Sequence, residues 1–245
     1  MTQGAPNFRQ PQIALDRMSL FLDFDGTLVE LAERPDGVVV DRGLTDLLGQ
    51  LASRLHGRLA LVSGRSIAQL DTMLSGMKIA VAGSHGEEIR GFGMIAAPVR
   101  RPDVLDVVEA GFAHAFGDKD GVIIEVKTLG VAVHYRLNPA VGPAVQALAE
   151  RLGVDHMLEV QTGKMMVELR SGEHDKGTAI AAMMRTAPFA GYVPVFLGDD
   201  VTDEDGFEAC AALGGMGILV GEERPSAARY RLDGVSSVRK WLAAL

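Results

Sequence analysis

Asp23-Phe24-Asp25-Gly26-Thr27 follows the apolar run Leu20-Phe21-Leu22. Two carboxylates two residues apart, then a glycine and a hydroxyl, read as a strand that runs out into a tight turn. Its acids would sit at the carboxyl end of the strand, where open α/β sheets bind ligands. Carboxylates this close repel unless a cation or a proton intervenes. The segment therefore points to a metal, a carboxylate nucleophile, or both.

Three further polar groups occupy comparable places. Ser63-Gly64-Arg65 follows Leu59–Val62, Lys176-Gly177 opens a helical stretch, and Gly198-Asp199-Asp200-Val201-Thr202-Asp203-Glu204-Asp205 follows Val193–Leu197. Gathered at one sheet edge, they form a carboxylate cluster with one hydroxyl and one lysine. A hard divalent cation suits such a cluster, and Mg2+ binds through a few carboxylates, waters and substrate phosphate. One Asp can attack a phosphoryl group to give an aspartyl-phosphate. A second can protonate the leaving alcohol and then deprotonate the attacking water. Lys176, the Ser63 hydroxyl, loop amides and the cation would balance charge on the phosphoryl oxygens.

The elements that must position these groups are legible in outline. Leu20–Leu22, Leu59–Val62, Ile79–Val81 and Val193–Leu197 read as buried strands: short, apolar and bounded by Gly or polar residues. Thr45 to Leu55 has helical spacing at Leu47, Leu48, Leu51 and Leu55, and Lys176 to Arg185 is a second helix candidate. This alternation predicts an α/β fold with a parallel sheet flanked by helices. The middle differs. Val104–Phe116 and Val141–Leu152 look helical, and two β pairs follow them, Val122–Val126 with Val131–Tyr135 and Leu158–Gln161 with Met165–Leu169. An inserted domain over 101–169 is expected, with 1–100 and 170–245 forming the main one. Links near Arg100–Asp103 and Arg170–Gly172 are the expected hinges.

With 245 residues, 47% hydrophobic and 23% charged, the composition is that of a soluble globular protein. The net charge of −8 argues against a nucleic-acid partner but leaves room for a small phosphorylated substrate. A single cysteine, Cys210, fits a reducing compartment and a small buried side chain. The polar Met1–Pro11 lacks the apolar core of a signal peptide, and no run reaches the ~18 apolar residues of a membrane span. A cytoplasmic protein without membrane attachment is expected.

Asp-x-Asp-Gly-Thr, Ser, Lys and Gly-Asp-Asp-x-x-Asp, in this order, resemble the four motifs of the haloacid dehalogenase superfamily of phosphatases. Asp23 through Pro35, Ser63-Gly-Arg65, Gly83-Ser-His-Gly86, His134-Tyr-Arg136 and Gly198 through Asp205 resemble trehalose-6-phosphate phosphatases, from about Ser19 to Trp241. The resemblance implies a Rossmann-like core with an inserted α/β cap of the C2 type. It also implies Mg2+-dependent hydrolysis of trehalose 6-phosphate, the last step of trehalose biosynthesis. By position it makes Asp23 the nucleophile and Asp25 the general acid/base. Ser63 and Lys176 bind the phosphoryl group, and Asp23, the Asp25 carbonyl and Asp199 hold Mg2+, with Asp203 behind them. Asp23, Phe24 and Asp25 line the substrate, and Glu125, Lys127 and Glu168 contact the disaccharide from the cap. Glu173-His174-Asp175, where the family often has a proline, departs from the pattern and leaves the local loop path open.

Plainer readings accompany several of these residues. Asp and Gly favour turns, and Thr202 with Asp203, Glu204 and Asp205 suits a helix start. Lys176 is misplaced at the positive end of a helix unless an anion or carboxylate partners it. His85 and Lys164 fit solvated or structural loops as well as binding, and His134 and Arg136 fit sugar contact or internal pairing. Another sugar phosphate, a phosphomutase reaction or a phospho-accepting binding domain are the competing functions.

Overall fold

A computed structural model describes residues 14–32, 34, 37–91, 94–95, 100–172 and 174–245. Met1–Pro11, Pro35 and Glu173 lie outside the described residues. Strand β1 (Met18–Leu22) is followed by α1 (Arg42–Arg54), β2 (Leu59–Val62), α2 (Ile67–Met73), β3 (Ala80–Gly83), β4 (Glu88–Gly91) and β5 (Met94–Ile95). The chain then builds a separate block of α3 (Val104–Phe116), β6 (Ile123–Val126), β7 (Gly130–His134), α4 (Gly142–His156), β8 (Glu159–Gly163) and β9 (Met166–Arg170). It returns through α5 (Lys176–Met183), β10 (Val193–Gly198), α6 (Glu204–Ala212), β11 (Met216–Val220), β12 (Tyr230–Leu232) and α7 (Val235–Ala244).

The main sheet has the order β12-β11-β10-β1-β2-β3-β4-β5. It is parallel from β12 to β3 and antiparallel beyond. β1 and β10 are neighbours, and the chain leaves them toward opposite edges. That reversal of strand order opens a crevice above their carboxyl ends.

Pleat alternation sends Leu20, Leu22, Leu59, Leu61, Val195 and Leu197 to one face, against Leu44, Leu48 and Leu51 of α1 and Val238 and Leu242 of α7. Phe21, Ala60, Val62, Ala80 and Phe196 go to the other, against Ile180 and Met183 of α5 and Phe207 and Cys210 of α6. Both faces are covered, so these strands are apolar runs rather than alternating ones. Truncating Leu22, wholly buried, to Ala costs about 2–5 kcal/mol.

In the second block the order β6-β7-β9-β8 is wholly antiparallel. Val131, Val133, Val167 and Leu169 face Leu105, Val108, Phe112, Val145 and Ala149 of the two helices. The opposite face carries a row in register, Glu125, Ala132, Glu168 and Gln161. That face looks onto the crevice of the main sheet.

Several helix bounds differ from the spacing, α5 ending at Met183 and not at Arg185. α1 begins before Thr45 because Asp41 caps it, its Oδ1 accepting from the Leu44 amide at 2.9 Å. α4 runs past Leu152 and Gly153 and stops only where Met157 turns left-handed, at φ 54°.

Candidate active site

β1 delivers Asp23 and β10 delivers Asp199 to the crevice; both are buried, and one oxygen of each lies with one of Asp203 within 4.8 Å. Gly26 makes this approach possible. Its φ is +80°, and a Cβ there would sit 2.2 Å from Asp199 Oδ2. Lys176 opens α5, whose amino end is capped by Asp175. Its Nζ donates to Asp23 Oδ1 at 2.8 Å and to Asp203 Oδ1 at 2.6 Å. Those two carboxylates are the partners that a lysine at the positive end of a helix requires. Asp203 Oδ2 accepts from the amides of Asp199 and Asp200 at 2.8 and 2.9 Å. Protein groups thus engage both oxygens of Asp203.

The charges are tightly linked. Burial raises the Asp23 pKa well above the usual carboxylate range, against Lys176, and Asp203 and Asp199 add to the rise. Burial and then Asp203 push Asp199 up to about 6, against Lys164. On Lys176 burial opposes the charge, but Asp203 and Asp23 outweigh it and raise the pKa. Three buried carboxylates against one buried ammonium leave negative charge that a divalent cation would neutralise. The donor set is all oxygen, as a hard cation requires.

Asp25 stands in the turn, half-buried. Both its oxygens are held by Arg65, Nε to Oδ2 at 2.6 Å and Nη2 to Oδ1 at 2.7 Å. Ser63 Oγ accepts from the Arg65 amide at 3.1 Å, which leaves its proton to donate. Phe24 departs from the expectation. Pleat alternation turns its ring away from the crevice into the core, at 0% exposure. Its side chain is not among the lining groups.

The second block roofs a cleft that includes Asp23, Asp25, Ser63, Lys176 and Asp199 on its floor. Glu125 accepts from Gln69 Nε2 of α2 at 3.3 Å and pairs with His134 Nε2 at 2.9 Å. Lys127 Nζ meets Glu168 Oε2 at 2.5 Å. Burial opposes the charge on Glu168, but Lys127 and His85 together outweigh it and hold the carboxyl far below its usual range. His85, at φ 57°, packs over Gly64 and comes within 3.6 Å of Glu168 Oε2. Burial lowers its pKa against Glu168. Arg136 donates to the Ala32 carbonyl at 2.5 Å, and Lys164 Nζ reaches Asp199 Oδ2 at 2.5 Å.

The structure thus gathers Asp23, Asp25, Ser63, Lys176, Asp199 and Asp203 at one edge and sets Glu125, Lys127 and Glu168 above them. Sequence reasoning gave no role to Arg65, Gln69 or Gln161. Arg65 carried a signal, since it lies inside Ser63-Gly64-Arg65, in the loop after the strand next to β1. Gln69 closes the Ser66 capping box, so its sequence position is fully accounted for by the helix. Gln161 lines the cleft with a buried Oε1 that has no hydrogen-bond partner. No helix among the described residues is long and apolar enough to cross a membrane.

Comparison with known proteins agrees with this geometry. Residues 21–236 match the family model for trehalose-phosphatase. The trehalose-6-phosphate phosphatase of Escherichia coli (strain K12) is 39% identical over 224 residues, 91% of this chain and 84% of that protein. A probable trehalose-phosphate phosphatase of Sinorhizobium fredii (strain NBRC 101917 / NGR234) is 39% identical over 237 residues, 94% of this chain and 88% of the relative. The crystal structure of a trehalose-6-phosphate phosphatase related protein superimposes with a TM-score of 0.77 at 28% identity, covering 93% of this chain and 96% of that one. A divalent metal is implied by this haloacid dehalogenase-type fold, and the buried aspartates are suited to hold it. With a capped α/β core, the ordered motifs and this similarity along nearly its whole length, the chain belongs to the trehalose-phosphatase family of phosphomonoester hydrolases.

Proposed function

We propose that this chain hydrolyses trehalose 6-phosphate to trehalose and phosphate through an aspartyl-phosphate on Asp23, with Mg2+ as the cation. The observation that carries the reading is Asp23, flanked by Lys176 and Asp199, beneath the polar row of Glu125 and Glu168. One half of the site suits a phosphoryl group and the other a polyhydroxylated leaving group. The names of the relatives point to the same substrate.

Lys176 fixes Asp23 Oδ1, so the carboxylate meets phosphorus in one orientation. Ser63 donates its hydroxyl proton to a phosphoryl oxygen, and Lys176 offsets the charge there. Asp25 gives its proton to the departing sugar oxygen and takes one from the water that cleaves the acyl-phosphate. A divalent cation held by Asp23, Asp199 and the Asp25 carbonyl would supply Lewis-acid charge at the phosphoryl oxygens. Asp203, engaged on both oxygens, orients Lys176 and the Asp199 loop and supports the cation site from behind. Glu125, Lys127 and Glu168 bind sugar hydroxyls; the Phe24 side chain takes no part.

Domain boundaries near 101 and 169, with hinges at Arg100–Asp103 and Arg170–Gly172, would let the cap open for exchange and close against water. A cytoplasmic location accompanies this reading. The deciding experiment is phosphate release from a panel of sugar phosphates with Mg2+ and with EDTA. Preference for trehalose 6-phosphate, lost in EDTA, is the expected outcome. Equal rates across the panel would remove the substrate assignment, and full activity in EDTA would remove the cation.

A further inference from the structure

Lys164 stands at the tip of the β8–β9 hairpin, on the cap, yet its ammonium lies on the catalytic floor. Nζ is 2.5 Å from Asp199 Oδ2 and 3.3 Å from the Asp199 carbonyl. The turn that carries it is fixed in place. The Met165 carbonyl accepts from the Tyr135 amide at 3.0 Å, the Lys164 carbonyl accepts from Arg136 Nη2 at 3.2 Å, and Met165 holds a left-handed φ of 61°. A bulky residue in that region of backbone space persists only where its surroundings fix it. The turn also docks on the aspartate loop, since a Cβ on Gly163 would lie 3.1 Å from Asp200 Oδ2.

The other cap cations of the cleft have different partners. Lys127 is paired with Glu168, His134 with Glu125, and Arg136 binds backbone carbonyls. Among the described residues of the cap, Lys164 is the one whose cation reaches a core carboxylate. Its side chain is 49% exposed, so its ammonium is not walled in beside Asp199. Charge gives it a destination. A divalent cation and Lys176 together neutralise Asp23, Asp199 and Asp203, and a phosphoryl dianion then brings two further negative charges. On the core side Arg65 already grips Asp25.

We propose that Lys164 is a phosphoryl-binding residue delivered by the cap. It rests on Asp199, and when substrate enters, its ammonium moves to the non-bridging phosphoryl oxygens. Cap closure then completes the charge balance of the site. The inference rests on the reading of the Asp23 site as the place of phosphoryl transfer.

The test is calorimetric binding of orthovanadate, and separately of trehalose, to the full Mg2+-loaded chain, for wild type, Lys164→Met and Lys164→Arg. Lys164→Met should weaken orthovanadate binding about tenfold or more, as loss of a charge-assisted contact does. Lys164→Arg should restore most of it, and trehalose binding should change less than about twofold in either variant, as expected where no sugar contact is lost. Unchanged orthovanadate binding in Lys164→Met overturns the proposal. Equal weakening of both ligands also overturns it, since that marks a residue that merely docks the hairpin. Absence of orthovanadate binding by wild type overturns the Asp23 reading itself, and the Lys164 role with it. A melting temperature for each variant separates these results from loss of fold.

Discussion

Arg65 grips Asp25 with two parallel hydrogen bonds, at 2.6 and 2.7 Å, in the fork geometry that only a guanidinium provides. The pair joins the turn after β1 to the loop after β2, so the orientation of the proposed acid/base depends on a neighbouring strand.

Arg65→Met should therefore lower kcat by about 10–100-fold, the scale on which misplacing a catalytic group acts. Arg65→Lys should recover only part of it, because a single ammonium cannot reproduce the fork. Steady-state kinetics on the purified variants decide this. A kcat equal to wild type would show that Asp25 holds its place unaided.

Asp23→Asn should abolish turnover, since an amide does not form the acyl-phosphate. Asp25→Asn should retain the nucleophile and lose about 10²–10⁴-fold, the usual contribution of general acid/base catalysis. Phosphate release from both folded variants checks the division of roles. Equal losses in the two would mean that the residues act as one unit.

In the cation-free protein Asp199 titrates near 6, above the ~3.9 of an unfolded aspartate. The native state therefore binds more protons than the unfolded state between those values, and stability falls as pH rises through the window. The loss should be on the order of 2 kcal/mol, present in full above pH 6. Thermal melts in EDTA at pH 4.5 and 7.5 measure it. Adding Mg2+ at pH 7.5 should recover about 2.7 kcal/mol at a hundredfold excess over its Kd. A melting temperature that ignores both pH and Mg2+ would show that these carboxylates are already balanced.

Glu168 is buried, and its partner Lys127 is mostly shielded from water. Glu168→Ala strands an ammonium and should destabilise the protein by about 3–5 kcal/mol, while Lys127→Met with Glu168→Leu should restore most of that. The double variant separates folding from function: it should melt near wild type yet show a KM for trehalose 6-phosphate raised by tenfold or more, as loss of contacts to charged groups does. A stable double variant with normal KM would take both residues out of substrate recognition.

The core was legible because its strands are covered on both faces, which leaves unbroken apolar runs such as Leu59–Val62. Its floor was legible because Asp23, Ser63 and Asp199 each follow such a run closely, while Lys176 opens a helix where a lysine needs an anionic partner. α3 was read to the residue because Leu105, Val108, Phe112 and Phe116 keep strict helical spacing. The antiparallel edge β4–β5 and the final β11, β12 and α7 were not read. β4 is half-exposed along its length, and β12 has three residues, so neither carries enough pattern. At the site, Phe24 misled because it lies between two reactive residues while the pleat sends it the other way. Gln69 and Gln161 carried no signal of their own; strand register puts Gln161 on the cleft, and the docking of one block on the other brings Gln69 to Glu125.

Among the contacts that join the blocks across the cleft are Gln69 with Glu125, His85 near Glu168, Arg136 with Ala32 and Lys164 with Asp199. No apolar cluster of the described residues spans both sides. Such a seam has no oil to seal it. Dissolved salt, which screens charges over roughly 8 Å at physiological strength, loosens it, while the apolar cores on either side feel no such change. The saltiness of the surroundings should thus set how firmly the two blocks hold to one another across the cleft, independently of how firmly either is folded.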